Sequence, residues 1–315
     1  MIEYIPISLN SLKSDTVIGC NIYILTQKDG DSNYVLYCKG DTLFESQKKN
    51  LLMRNNVNRL FIKREDKKHF SLYLESNFQK ILSYYDNSPA EKARIIRDTA
   101  TNLVRDLFED PRTGNIERTK MFAYNMVDCV IKDPRTADHL IKMASNDYYA
   151  YRHSVNVAAI GTLFADSLGF KESELKPFCL GVLLRDIGQT KISNTVLDKR
   201  GKLTKEEFDK VREHPELGVS IISREVVFKD DYKITLQHHE NCDGSGYPHG
   251  LKKEGIHPFA RIVRIVDVYD ALTTDRPYAE ALVPFEAVKK IASEMWNVMD
   301  ISLLKEFIKF LGGHS

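Results

Sequence analysis

Five of the nine histidines, His153, His214, His238, His239 and His249, fall between Ala150 and Gly250. Any one of them alone is more often a surface or satisfied core histidine than a ligand, so their company decides the reading. His238 and His239 are adjacent at the end of an apolar helical pattern, and Asp186 closes an apolar run that reads as a buried helix. Asp267 lies inside a second apolar run, Ile262 to Val268. A carboxylate in such surroundings is costly unless it is paired or bound to a metal. Imidazole and carboxylate together suit iron, manganese or zinc, so metal-assisted chemistry is the first expectation.

Five segments carry these residues in order: YRHSVNVA (Tyr151 to Ala158), LLRDIGQTKIS (Leu183 to Ser193), HPELG (His214 to Gly218), HHENCDGSGYP (His238 to Pro248) and DVYDALTTDRPY (Asp267 to Tyr278). In order and spacing they resemble the HD-GYP family, metal-dependent phosphodiesterases of cyclic di-GMP. The tripeptide Gly246, Tyr247, Pro248 separates that family from other HD phosphohydrolases. The resemblance covers roughly the last half of the chain. It implies a helical bundle whose facing helices supply metal ligands. One metal would be held by His153, the HD pair (here Arg185 and Asp186) and Asp267; the second by Asp186, His214, His238 and His239. Such a pair of ions activates water and steadies phosphoryl oxygens. A further glutamate ligand of some members falls at Tyr149 here, so no third metal is expected.

The chain departs from the family's HDIGK at two places, reading RDIGQ from Arg185 to Gln189. A guanidinium is always protonated and has no lone pair for a metal. Arg185 is therefore expected to replace the first ion electrostatically, pairing with Asp186 or Asp267, and one ion is expected where the family implies two. Gln189 replaces a lysine placed to contact phosphate and is weaker at stabilising transition-state charge. Lys191, two residues on, is expected to point elsewhere. On the ligand side, the resemblance puts the Gly246, Tyr247, Pro248 loop over the substrate end of the bundle. Asp147, Asp270 and Arg276 match positions near the bound dinucleotide, Arg276 being suited to phosphate or a guanine edge by its planar fork. A solvated surface arginine is an equally good reading of Arg276 taken alone, and Tyr278 reads as packing.

The elements that must position these residues can be read from periodicity. Ile18, Cys20, Ile22 and Ile24 alternate as in a half-buried strand, and Tyr34 to Cys38 and Arg59 to Lys63 read as further strands. A polar helix is expected through Ser46 to Arg54. From Lys67 the period becomes helical. Ser88, Pro89 and Glu91 make a helix start with a capping serine and a carboxylate reaching back. Pro111 and Gly114 break that helix, a second runs through Met121 to Ile131, and Pro134 breaks again. Thr204 and Glu207 form a capping box, and Asn241 to Gly250 is a loop. The fold class is thus an α+β N-terminal domain (1–66, a sensor or adaptor) followed by an all-α HD-type helical bundle (136–315), joined by a helical connector (67–135). Apolar stripes on the connector would serve a homodimer or a signalling partner if they are not simply packed.

Composition narrows the class. The 315 residues are 43% hydrophobic and 28% charged, with a net charge of +1, which gives no polyanion-binding surface and so no nucleic-acid partner. Five cysteines, Cys20, Cys38, Cys129, Cys179 and Cys242, show no CxxC spacing and read as reduced thiols. The start lacks the pattern of a signal peptide, and no apolar run approaches the ~18 residues of a membrane span, so a cytoplasmic protein without a membrane partner is expected. Three functions are consistent with the sequence. One is a cyclic di-GMP phosphodiesterase using iron or manganese, with turnover impaired by Arg185 and Gln189. Another is a catalytically inactive cyclic di-GMP receptor or interaction module in bacterial signalling. The third is an HD phosphohydrolase of another nucleotide, which the Gly-Tyr-Pro and Arg-Pro-Tyr motifs argue against.

Overall fold

The computed structural model describes residues 3–28, 31–84, 88–143, 150–197, 199, 201–223, 232–275 and 280–313. They form two compact units, Met1–Ile95 and Ile96–Ser315. Each is built as its sequence periods require.

The first unit contains a four-stranded antiparallel sheet of β1 (Tyr4–Ser8), β2 (Ile22–Lys28), β3 (Asp31–Cys38) and β4 (Arg59–Lys63) in the order β1-β4-β2-β3. β1 pairs along β4 from Tyr4 opposite Lys63 to Ser8 opposite Arg59. Helix α1 (Ser46–Arg54) connects β3 to β4, and α2 (Lys67–Tyr84) follows them. The period-2 signal at Ile18 to Ile24 is a strand only from Ile22 onward. Gly19 has φ +81°, a conformation that glycine adopts without a Cβ penalty and that turns the chain before β2. Ile18 and Cys20 are still buried, as their alternation suggests. α2 buries Phe70, Leu74, Phe78 and Ile81 at helical spacing. The hydroxyl of its Tyr73 accepts a hydrogen bond from the Lys13 amide at 2.8 Å.

The second unit is helical. Helix α3 (Pro89–Glu109) crosses the boundary between the units, and α4 (Thr113–Lys132) and α5 (Pro134–Met143) follow. Within the first unit, the Glu91 carboxylate accepts from Asn10 Nδ2 at 3.1 Å and pairs with Arg94. Beyond these lie α6 (Ala150–Ser167), α7 (Glu172–Leu184), α8 (Asn194–Leu197), α9 (Lys205–Val211), α10 (His214–Ile222) and α11 (Tyr232–Gln237), then α12 (Pro258–Thr273), α13 (Pro284–Glu294) and α14 (Ile301–Gly312). α7 packs against α4, α6 and α11. It buries Phe178 to Leu184 without interruption, as an apolar all-round helix must. α9 begins with the expected capping box: Thr204 Oγ1 accepts from the Glu207 amide, and the Glu207 carboxylate accepts from the Thr204 amide. Among the described residues no helix is long and apolar enough to cross a membrane. All five cysteines are free.

Candidate metal centre and its comparisons

Helix ends converge on the site. α7 ends at Leu184 and delivers Arg185 and Asp186 to a 3-10 turn, Ile187–Lys191. His214 opens α10, and His238 and His239 lie just past the end of α11. This convergence depends on glycine at 188. A Cβ there would stand 1.9 Å from the His214 carbonyl oxygen and 2.5 Å from the Gly218 amide nitrogen, so only a residue without one lets the turn press on α10. Positions inside two further helices complete the site: His153 from the first turn of α6, and Asp267 and Asp270 from the second half of α12.

Asp186, His214, His238 and His239 each offer a ligand atom, and these atoms all lie within 4.8 Å of one another. The imidazoles are oriented from behind. His214 Nδ1 donates to the Val211 carbonyl at 2.7 Å, and His238 Nδ1 donates to the Thr235 carbonyl at 2.9 Å. Each Nδ1 therefore carries a proton and each Nε2 turns its lone pair inward, the arrangement in which a backbone carbonyl fixes the tautomer of a ligand histidine. The two Nε2 atoms are 3.2 Å apart. Nitrogens sharing one metal at about 2.1 Å stand roughly 3 to 3.4 Å apart, so the spacing fits an ion between them, which would also relieve the opposition of two lone pairs. Asp186 Oδ1 lies 3.5 Å from His214 Nε2 and 3.6 Å from His238 Nε2. Burial pulls the His214 pKa down to about 4 and that of His239 well below its usual value. Neutral imidazole is the form that binds metal.

Next to this cluster lies a second, ion-paired group. Arg185 is the largest fully buried side chain. Its Nε donates to Asp267 Oδ1 at 3.1 Å and stands 3.3 Å from Asp186 Oδ2, while Nη1 donates to the Val182 carbonyl at 3.1 Å. Nη2 approaches Asp267 Oδ1 at 2.9 Å, yet off the hydrogen-bond direction. Asp186 thus faces the histidines with one oxygen and the guanidinium with the other. Burial alone would raise both carboxyl groups. Arg185 outweighs it and, with the neighbouring histidines, holds both below the ordinary carboxylate range. His153 bridges the two aspartates of α12, with Nδ1 2.6 Å from Asp270 Oδ2 and Nε2 3.2 Å from Asp267 Oδ1. Burial would depress the imidazolium, but the Asp267 charge and both hydrogen bonds prevail and raise its pKa to about 9. Asp270 Oδ1 is buried without a hydrogen-bond partner among the described residues. Gln189 Nε2 donates to Asp186 Oδ1 at 2.8 Å, so this neutral side chain is turned onto the aspartate.

The Gly-Tyr-Pro loop lies against the cluster. The Tyr247 ring stacks on His239, with centroids 4.6 Å apart at 21°, and Arg212 lies over the tyrosine at 5.2 Å. Gly246 has no room for a Cβ, which would meet the Asn241 amide nitrogen at 2.3 Å. Glu240 anchors the loop and is almost wholly buried. Its two carboxylate oxygens accept from the His249 and Leu251 amides at 2.7 and 2.8 Å. A carboxylate directly after two histidines is the signal that the sequence offers for Glu240. Gly188 and Arg264 carry no comparable signal of a site role. Among the expected ligand-side residues, the structure places Asp270, Gly246, Tyr247 and Pro248. Asp147, Arg276, Tyr149 and Tyr278 lie outside the described residues. His249 stands away from the cluster, 3.7 Å from Glu216.

A bundle of helices with histidines and aspartates meeting at its helix ends defines an HD-type domain. The HD domain family matches residues 136–303. A cyclic di-GMP phosphodiesterase of Pseudomonas aeruginosa is 34% identical over 226 residues, covering 70% of this chain and 54% of that protein. A 3'3'-cGAMP-specific phosphodiesterase of Vibrio cholerae is 33% identical over 174 residues, 55% of this chain and 37% of that protein. The chain spans about half or less of the length of these relatives. A solved HDG"Y"P protein from Bdellovibrio bacteriovorus shares the fold, with a TM-score of 0.66 at 21% identity over 99% of this chain and all of that one. The chain belongs to the HD domain family, in its HD-GYP group. That family is metal-dependent, and the His/Asp cluster is one that could bind an ion.

Proposed function

We propose that this chain is an HD-GYP phosphohydrolase module that binds cyclic di-GMP at a single divalent ion, and that its turnover is impaired. One observation carries the reading: four convergent ligand atoms lie beside a fully buried arginine that bridges Asp186 and Asp267. Asp186, His214, His238 and His239 would hold the ion, iron or manganese by donor chemistry. Bound there, it supplies an activated water and a positive charge against phosphoryl oxygens. Arg185 takes the charge-balancing place of a second ion. His153 and Asp267 then serve as its ion-paired surroundings, not as ligands. Gln189 contributes no charge toward phosphate.

The relatives support the nucleotide class. The Pseudomonas aeruginosa and Vibrio cholerae relatives are phosphodiesterases of cyclic di-GMP and of 3'3'-cGAMP, and cyclic di-GMP is the substrate proposed. The buried Arg185 also favours a second reading, an inactive receptor that binds the dinucleotide without cleaving it and passes the signal to a partner through the N-terminal unit. The two are separated by incubating cyclic di-GMP anaerobically with Fe(II)- or Mn(II)-loaded protein and resolving the products by chromatography. The Arg185→His, Gln189→Lys double variant runs in parallel, with metal counted in both proteins. One ion and slow turnover in the parent, with two ions and faster turnover in the variant, is the expected result, and no turnover in the parent would favour the receptor. Two tightly held ions in the parent would overturn the single-ion assignment.

A further inference from the structure

Arg264 lies on α12 one turn before Asp267, on the face that carries the site carboxylate. Its Nε donates to Asn241 Oδ1 at 3.0 Å. Among the described residues it has no other hydrogen bond and no carboxylate within ion-pair distance. The side chain is half-buried, so part of it reaches solvent. Two other arginines, Arg185 and Arg212, differ. Arg185 is committed to Asp186 and Asp267, and Arg212 has Asp209 at 3.9 Å.

The orientation of Arg264 is fixed from the ligand segment itself. Asn241 follows His239 by two residues, and its Nδ2 donates to Ser245 Oγ at 3.0 Å. Ser245 in turn donates to Asp243 Oδ1 from its amide at 2.9 Å and its hydroxyl at 2.6 Å. Burial of the guanidinium lowers its pKa, and the Asp267 charge opposes that shift. It remains protonated. A half-buried guanidinium that is held by a neutral amide, with its outer edge open, lacks the anion that such a group usually meets.

We propose that Arg264 is a phosphate-contacting residue of this site, its Nη1–Nη2 edge donating to a non-bridging oxygen of the bound phosphodiester. The proposal rests on reading the site as a cyclic dinucleotide pocket. It supplies a positive charge where Gln189 supplies none.

The test is calorimetric titration of metal-loaded parent, Arg264→Gln and Arg264→Lys proteins with cyclic di-GMP. Binding of inorganic phosphate is followed separately by phosphorus NMR. Metal content and thermal midpoint are recorded for each protein, so that a folding defect is visible. A charged hydrogen bond lost from a contact of this kind weakens binding about tenfold or more. Arg264→Gln is expected to show that loss for both probes at unchanged metal content, with Arg264→Lys recovering much of it. Cyclic di-GMP bound equally well by parent and Arg264→Gln overturns the Arg264 proposal and leaves the functional reading intact. No cyclic di-GMP binding by the parent, with phosphate binding still dependent on Arg264, overturns the functional reading and retains the anion site. Neither probe bound by the parent overturns both.

Discussion

The Asp186 carboxylate is shared between a histidine cluster and a guanidinium, and Arg185 neutralises both it and Asp267 from full burial. Removing one partner of a buried pair leaves the others uncompensated and typically costs about 3–5 kcal/mol. Arg185→Met is therefore expected to lower the urea-unfolding free energy of metal-free protein by about that amount. Excess Mn(II) should recover part of the loss, since an ion can then neutralise the same carboxylates. An unchanged unfolding free energy would mean that Arg185 is not what balances them. His153 gives a prediction in pH. Its folded pKa is raised to about 9 from 6.5, so the folded state binds the proton more tightly. Its contribution is fully present below about pH 6.5 and is lost as pH rises through about 9. Urea unfolding of metal-free protein across that window should show a decline that is absent from His153→Gln. Equal slopes in the two proteins would mean that the His153 pair with Asp267 and Asp270 contributes nothing.

At the scale of elements, the site depends on how closely the 3-10 turn after α7 meets α10. Gly188→Ala places a Cβ 1.9 Å from a backbone oxygen that no rotamer change can move. Forced overpacking of this kind costs about 1–3 kcal/mol, and here it also separates Asp186 from His214. The variant should lose stability by urea titration and bind Mn(II) at least tenfold more weakly. Retained affinity would show that the ligand set tolerates the displacement. Much of this level was legible in advance. α1, β4 and the α9 capping box follow from local chemistry that the sequence carries in full. β1 escaped because Tyr4 to Ser8 are half-buried or exposed and show no alternation; its identity comes from pairing with β4, some sixty residues away. α4 begins at Thr113, well before the apolar period seen from Met121, since Gly114 sits inside the helix's first turn. The five motifs named the histidines and aspartates that meet in space. They named Arg185 as a partner of Asp186 or Asp267 though not of both at once, and could not show that Glu240 would clamp the loop or that Arg264 would have no carboxylate beside it. Those facts depend on which helix ends converge, a property of packing that no local window records.

At the scale of the molecule, every residue of the candidate metal cluster comes from the second unit, Ile96–Ser315, so an ion held there should stabilise that unit. The chain's single tryptophan, Trp296, follows α13 in the same unit and supplies a fluorescence signal for its unfolding. A ligand that binds only the folded state adds about 2.7 kcal/mol at 100 times its Kd. For a domain of this size each kcal/mol moves the midpoint by about 2–4 °C, giving a rise of roughly 5–10 °C in the Trp296 transition. Chelation should reverse it. Amide exchange in β2 and β4, which belong to the first unit, should be the same with and without Mn(II). A metal-dependent change in that sheet would instead mean that the two units are energetically coupled, which is what a receptor passing a nucleotide signal to its N-terminal unit requires. Adding cyclic di-GMP to the metal-loaded protein and following the same amides then separates the two readings of function. Protection confined to the second unit fits a phosphohydrolase that works on its own, and protection spreading into β2 and β4 fits the receptor.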